Sequence, residues 1–164
     1  MAKKPLKTNA VRLLEKAGVP HTTVEYPVDE QHLDARHVAD AVGEDIRAVY
    51  KTLVLRGDKT GHLVCVIPGD HEVDLKKAAR ASGNKKVEMI AMKELLPTTG
   101  YIRGGCSPIG MKKPFATYIQ QDCLSLAKVF ISAGVRGMQL CLAPQDLIDF
   151  TGATPADLIT EQTI

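Results

Sequence analysis

The chain of 164 residues has no tryptophan, and aromatic residues make up only 4% of it. That scarcity argues against a protein that grips single-stranded nucleic acid mainly by stacking bases on rings. An excess of charge is also missing: 21 lysines and arginines face 19 aspartates and glutamates, a net +2. A strong, sequence-independent hold on a polyanion is therefore not indicated. The pairs Lys76-Lys77, Lys85-Lys86 and Lys112-Lys113 permit a modest RNA contact, although each pair alone reads as a solvated face. Cys65, Cys106, Cys123 and Cys141 include no Cys-x-x-Cys pair and have no neighbouring histidines to complete a metal set. His32 and His37 are five apart, which does not align them on one helical face. No metal and no cofactor are expected. No apolar run approaches membrane-span length, and Met1-Ala2-Lys3-Lys4-Pro5 leads into a charged amphipathic segment without a signal-peptide core. A reduced, cytoplasmic enzyme or binding module away from membranes is the expectation.

Hydrophobic residues make up 45%, and the length suits a single domain, 1–164, with a respectable core. Thr8 is placed to cap a first helix with Val11, Leu14 and Ala17 on one side, closed by Gly18 and Pro20. His21 to Tyr26 reads as a short strand ended by Pro27. Asp34 caps a second helix whose inward stripe is Val38, Ala41 and Val42, stopped by Gly43. Two strong strands follow, Val49–Arg56 and His62–Pro68, joined by Gly57-Asp58-Lys59-Thr60-Gly61. Asp74 to Ser82 is predicted helical with Gly83 as its cap. Lys86–Met89 reads as a short strand, and Met92–Leu96 as a helical turn or two before Pro97. Thr117–Gln120, Val129–Ser132 and Met138–Leu142 read as strands, the last two joined by Ala133–Gly137, and Pro144 opens a helix running through Phe150. Hairpins mixed with helices predict an α+β fold, with a mixed, mainly antiparallel sheet of six or seven strands, barrel-like and surrounded by helices. A doubly wound nucleotide-binding sheet is disfavoured.

The stretch with most chemical content is Gly104-Gly105-Cys106-Ser107-Pro108-Ile109-Gly110. Adjacent glycines bare their backbone N–H groups, so a carboxylate, phosphate or developing oxyanion can approach closely. Such a loop needs a cation facing it. Alternation along Val49–Arg56 puts Lys51 in the same row as Val49, Leu53 and Leu55, the more apolar of the two. Loss of hydration there lowers a lysine's pKa. A lysine whose stem packs while its ammonium reaches water fits the spacing equally well. Ser132 enters the Ala133–Gly137 turn, where serines commonly serve local backbone groups and are also well placed for a ligand. Arg136 in that turn is within reach of a phosphate, an exposed turn arginine being the commoner case. Cys106 has no base nearby in sequence to activate it, and Ser107 lacks a nucleophile-elbow motif. A polarising loop and a cation are thus present without a protein nucleophile, so the nucleophile would come from water or from the substrate.

Six segments recur together and in order in a known family. They are Tyr50-Lys51-Thr52-Leu53, Asp74–Ala79, Lys85–Met89, Thr99-Gly100-Tyr101, Gly104-Gly105 with Ser107-Pro108 and Gly110, and Ser132 with Arg136-Gly137. On these the chain resembles the YbaK-type aminoacyl-tRNA deacylases, stand-alone relatives of the editing domain inserted in bacterial prolyl-tRNA synthetases. The resemblance runs from the first helix to about residue 160. It implies a mixed, barrel-like sheet with helices around it. The implied activity is hydrolysis of the ester joining a wrong amino acid to tRNA, chiefly cysteine on the proline tRNA. It further implies that the substrate's own thiol attacks the ester. By position, Lys51 corresponds to the family's key lysine and Gly104 to the glycine whose backbone contacts the reacting group. Tyr26, Leu33, Thr52, Gly105, Ser132, Gly134 and Arg136 fall at substrate-binding positions. Cys106 replaces a usual aliphatic residue, Ala133 a usual glycine, and Leu33 a frequent aromatic ring. The implied partners are the acceptor end of misacylated tRNA and a prolyl-tRNA synthetase. Two other readings stay open: a deacylase for another amino acid such as alanine, and a non-catalytic module that holds tRNA ends or a small molecule.

Overall fold

Each of the first three helices is bounded by the residues that its sequence nominates. The Thr8 hydroxyl accepts from the Val11 N–H at 3.2 Å, and Gly18 leaves the helix in the left-handed conformation. Asp34 and Asp74 cap the next two in the same manner, with Gly43 and Gly83 at their ends. These side chains satisfy N–H groups that a helix start leaves without partners. The computed structural model describes residues 7–163, so Met1–Pro5 lies outside the described residues.

In chain order the elements are α1 (Asn9–Ala17), β1 (Thr22–Glu25), α2 (Ala35–Val42), β2 (Tyr50–Gly57), β3 (Gly61–Pro68), β4 (His71–Val73), α3 (Leu75–Ser82), β5 (Val87–Met89), α4 (Met92–Thr99), β6 (Ala116–Gln120), β7 (Val129–Ser132), β8 (Met138–Leu142), α5 (Pro144–Thr151), β9 (Thr154–Ala156) and β10 (Ile159–Thr163), with short 3₁₀ turns at Ile46–Ala48 and Gln121–Ser125. The class is α+β. Among the described residues there are ten strands rather than six or seven, and they form three sheets rather than a closed barrel. The largest runs β5-β2-β3-β6-β9, the second β1-β8-β7, and β4 pairs with β10. Pairing is mainly antiparallel. Mixing enters where β6 lies parallel to β3 and β9 parallel to β6. The additional strands β4, β9 and β10 are short, and their pairing is supplied by distant chain, so local alternation does not mark them.

Three sequence details shift. In α1 the buried stripe is Ala10, Val11 and Leu14, and Ala17 in the last turn is exposed. In α2 Val38 and Ala39 are buried while Ala41 faces solvent. α4 runs past Pro97, because the Thr99 hydroxyl bonds back to the Leu95 carbonyl at 2.8 Å and Gly100 N–H to that of Leu96 at 2.8 Å. These bonds secure the last turn, where Pro97 offers no N–H.

The central hairpin is buried on both faces. Val54, Val64 and Val66 join a core with Leu14, Ile119, Ile131 and Leu140. Leu55, Leu63, Cys65 and Ile67 face Ala78, Ala79 and Leu158 on the other side. The period-2 alternation of β2 and β3 thus feeds two clusters at once. Asn84 clamps the hairpin loop. Its Oδ1 accepts from Lys59 N–H at 2.9 Å and Thr60 N–H at 3.0 Å, while Nδ2 donates to Thr60 Oγ1 and Ser82 Oγ. Asn84→Ala removes four hydrogen bonds made by a buried side chain, at a cost of about 2 kcal/mol. The midpoint of thermal unfolding should fall by about 4–8 °C in a melting experiment.

Candidate active site

The cleft exists because two sheets meet once and then part. Val49 and Phe130 form an isolated parallel bridge between β2 and the second sheet. Beyond it, among the described residues, that edge of β2 has no strand partner until Leu55, which pairs with Met89 at the end of β5. The Ile90 N–H reaches the Val54 carbonyl at 3.3 Å on this edge, and alternation sends the main-chain groups of Thr52 the same way. The parting leaves a cleft of about 360 Å³. Lys51, Thr52, Ser132 and Gln139 line it from the strands, Leu33, Asp34 and Val38 from in and around α2, and Met89–Met92 with Leu95 from the α4 side. Arg103, Gly104 and Cys106 complete the wall.

Lys51 is half-buried. Its Nζ donates to the Gly69 carbonyl at 3.3 Å and, among the described residues, meets no carboxylate in an ion pair. Burial lowers its pKa below the ordinary 10.5, and the more distant carboxylates of Glu72, Asp70 and Asp34 oppose that shift. Both readings of this lysine are partly realised: the stem sits in an apolar row, and the ammonium is held by a carbonyl within a cleft.

A smaller recess of about 130 Å³ adjoins the cleft, lined by Tyr26, His32, Leu33, His37, Gly104 and Arg136 among others. Leu33, Val38 and Gly104 line both spaces. Gly104 has φ +84, and an added Cβ would stand 3.3 Å from both Arg136 Nε and Leu33 Cδ2. Arg136 Nε donates to the Arg103 carbonyl at 2.8 Å, which ties the turn after β7 to the glycine loop. The loop is further fixed by Tyr101, whose hydroxyl donates to the Ile109 carbonyl at 2.5 Å, and by the buried Ser107 Oγ, which accepts from Ile109 N–H. His32 and His37 stack at 4.3 Å, each with Nδ1 on its own aspartate, Asp29 and Asp34. His32 precedes α2, which is how residues five apart come face to face.

Of the sequence-nominated residues, Lys51, Thr52, Leu33, Gly104 and Ser132 share the cleft, and Tyr26 and Arg136 share the recess. Gly105 and Gly134 line neither. The Gly105 N–H donates to the Ile102 carbonyl, and a Cβ there would lie 3.1 Å from the Val135 backbone. The Gly134 N–H donates to Ser132 Oγ at 3.1 Å. Gly105 lets the Val135 backbone pass closely, Gly134 lies against the Tyr101 ring, and both have their amides committed. Ser132 accordingly serves its own turn while facing the cleft. Cys106 is only 9% exposed, and burial pushes its thiol up to about 11, so it is protonated at neutral pH. Among the described residues, the cleft lining contains no histidine. Gln139 went unnoticed in the sequence. It is 4% exposed and its Oε1 has no hydrogen-bond partner. The available signal was a lone amide in the apolar run Met138–Leu142.

Residues 29–150 match the aminoacyl-tRNA editing domain family, and the chain belongs to that family. Its activity is aminoacyl-tRNA deacylation. A protein of Enterococcus faecalis (strain ATCC 700802 / V583), named "Putative Cys-tRNA(Pro)/Cys-tRNA(Cys) deacylase EbsC", is 50% identical over 164 residues, covering 99% of this chain and 100% of the relative. A proline--tRNA ligase of Thermosipho africanus (strain TCF52B) is 30% identical over 105 residues, 63% of this chain and 17% of the ligase. A solved structure described as "Crystal structure of a putative trans-editing enzyme for prolyl tRNA synthetase" superposes with a TM-score of 0.81 at 29% identity, covering 93% of this chain and 98% of that one.

Proposed function

We propose that the chain removes cysteine from mischarged proline tRNA, using the cysteine's own thiol as nucleophile. The observation that carries this reading is a cleft that, among the described residues, has a cation without an ion pair and no activated protein nucleophile: Lys51 is present, Cys106 is protonated, and no described histidine lines the walls. A substrate thiol has an ordinary pKa near 8.5 and is intrinsically nucleophilic once ionised. Its sulfur attacks the ester carbonyl, and the carbon–oxygen bond to the ribose breaks. The thiol proton passes to the departing ribose hydroxyl, and water opens the cyclic thioester to free cysteine. Lys51 holds the terminal adenosine or its phosphate so that the ester lies against the loop. The Gly104 backbone faces the developing oxyanion, a contact of a kind worth about 3–4 kcal/mol in the transition state. Thr52 and Ser132 line the aminoacyl space, with Leu33 between it and the recess of Tyr26 and Arg136. Gly105 and Gly134 set the wall's position.

In this reading 1–164 acts as one editing domain in the cytoplasm. Likeness to part of a proline–tRNA ligase and the low net charge support a prolyl-tRNA synthetase as the partner that supplies further tRNA contacts. The test is a panel of charged tRNAs. Cysteine should leave proline tRNA quickly, with serine and proline esters largely intact, because a hydroxyl ionises poorly and proline carries no side-chain nucleophile. Equal release of serine refutes thiol assistance, and release of alanine redirects the selectivity. Cys106→Ala should retain cysteine release at the wild-type order, read in the same assay, because its thiol is not the attacking sulfur.

A further inference from the structure

We infer that the tRNA leaves the cleft across α4 and the start of the glycine loop, and that this rim docks the unpaired acceptor end and the stem beyond it. The inference rests on the deacylase reading, since an aminoacyl group in the cleft stays bonded to nucleic acid that must pass over one lip of the mouth. The two lips differ in chemistry. On one side Met89, Met92 and Arg103 line the cleft and also reach solvent, so the lip is continuous with the site. Met92 and Leu96, one turn apart on α4, are 60% and 51% exposed, and Ile102 is 45% exposed. Lys93, Arg103, Lys112 and Lys113 surround this ridge and are exposed. Lys112 is drawn onto the end of α4: its Nζ donates to the Pro97 carbonyl at 3.5 Å and its N–H to that of Thr99 at 3.0 Å. None of the four cations is in an ion pair among the described residues, whereas the nearby Glu94 is held by Arg56.

The opposite lip carries Asp29, Glu30 and Asp34, and its two imidazoles are each tied to one of the aspartates. A polyanion crossing there meets carboxylates beside Arg36 and Arg136; crossing α4 it meets four cations that have no ion pair among the described residues. An apolar ridge between cations suits a single-stranded end, whose phosphates take the lysines while its base faces lie on methionine and leucine. This places sequence-independent affinity on a few surface lysines, in keeping with a net charge of only +2.

Lys93→Glu/Lys112→Glu tests the inference without touching the cleft. Two substrates are compared across a series of salt concentrations: full-length cysteinyl proline tRNA, and cysteine esterified to adenosine alone, a short ester with no phosphate to cross the rim. On the full-length tRNA, kcat/KM should fall at least about tenfold. Its logarithmic salt slope should become shallower by roughly one per lysine. The short ester should be cleaved as by wild type. Met92→Ser/Leu96→Ser should weaken use of the full-length tRNA with the salt slope kept, and Glu30→Lys on the other lip should lose nothing. Unchanged kcat/KM on full-length tRNA in low salt overturns the docking face. So does an equal loss on both substrates, or a loss seen only when a synthetase is added, which would give the rim to a protein partner. A wild-type chain that cleaves neither substrate overturns the deacylase reading as well, so the two failures are distinguishable.

Discussion

Lys51→Ala is expected to lower cysteine release from charged proline tRNA by about 100-fold or more, the scale set by loss of one charged contact to a reacting group. Lys51 is the lysine of the cleft; Arg103 is the other cation there, at the exposed lip. Single-turnover deacylation with saturating enzyme reads the loss, and a variant with unchanged rate removes Lys51 from the chemistry. The fold should not suffer. Burial holds the Lys51 pKa below its ordinary value, so between that lowered pKa and about 10.5 the unfolded chain binds more protons than the folded one. Stability contributed by this group therefore rises with pH through that window. Below it, the buried charge is a cost. Lys51→Met should melt at or above the wild-type temperature at pH 7, and the difference should narrow as the pH approaches 10. A methionine variant that melts far below wild type would mean that the Gly69 hydrogen bond outweighs desolvation.

Gly104→Ala is expected to lower the same rate by about 100-fold through displacement rather than unfolding, as when a reacting group is misplaced by an ångström. At φ +84 an alanine costs about 1–2 kcal/mol. Its methyl would press on Arg136 Nε and Leu33 Cδ2, each 3.3 Å away, and so strain the Arg136–Arg103 tie. A melt lowered by a few degrees with secondary structure intact, alongside the large rate loss, is the expected pair of results. A rate within a few-fold of wild type would take the Gly104 backbone out of the reacting geometry.

The sequence carried the local rules well. Thr8 and Asp34 cap helices as nominated, Asp74 caps the helix it was read as starting, Gly57–Gly61 turns the central hairpin, and β7 and β8 have the bounds read from Val129–Ser132 and Met138–Leu142. The row containing Lys51 was legible because alternation is a property of the strand itself. What escaped depends on distant partners. β9 is a strand because β6 lies beside it, Tyr118 against Thr154. Sheet closure cannot be read from alternation, since pairing along both edges decides it, and here the sheets part. Gly105 and Gly134 look like ligand contacts in a string of letters, yet their N–H groups answer Ile102 and Ser132. The His32–His37 stack escaped because the first ring precedes the helix that carries the second.

The lone bridge between Val49 and Phe130 divides labour within the molecule. Two hairpins, each secured by its own ladder, supply the bottom of the cavity. Loops and two short helices, α2 and α4, which share little of that ladder, supply the sides. Exchanging a residue at Leu33 or Met92 therefore reshapes the sides while leaving the foundations bonded as before. An architecture of this kind can change its sorting preference in single steps, without passing through an unfolded ancestor.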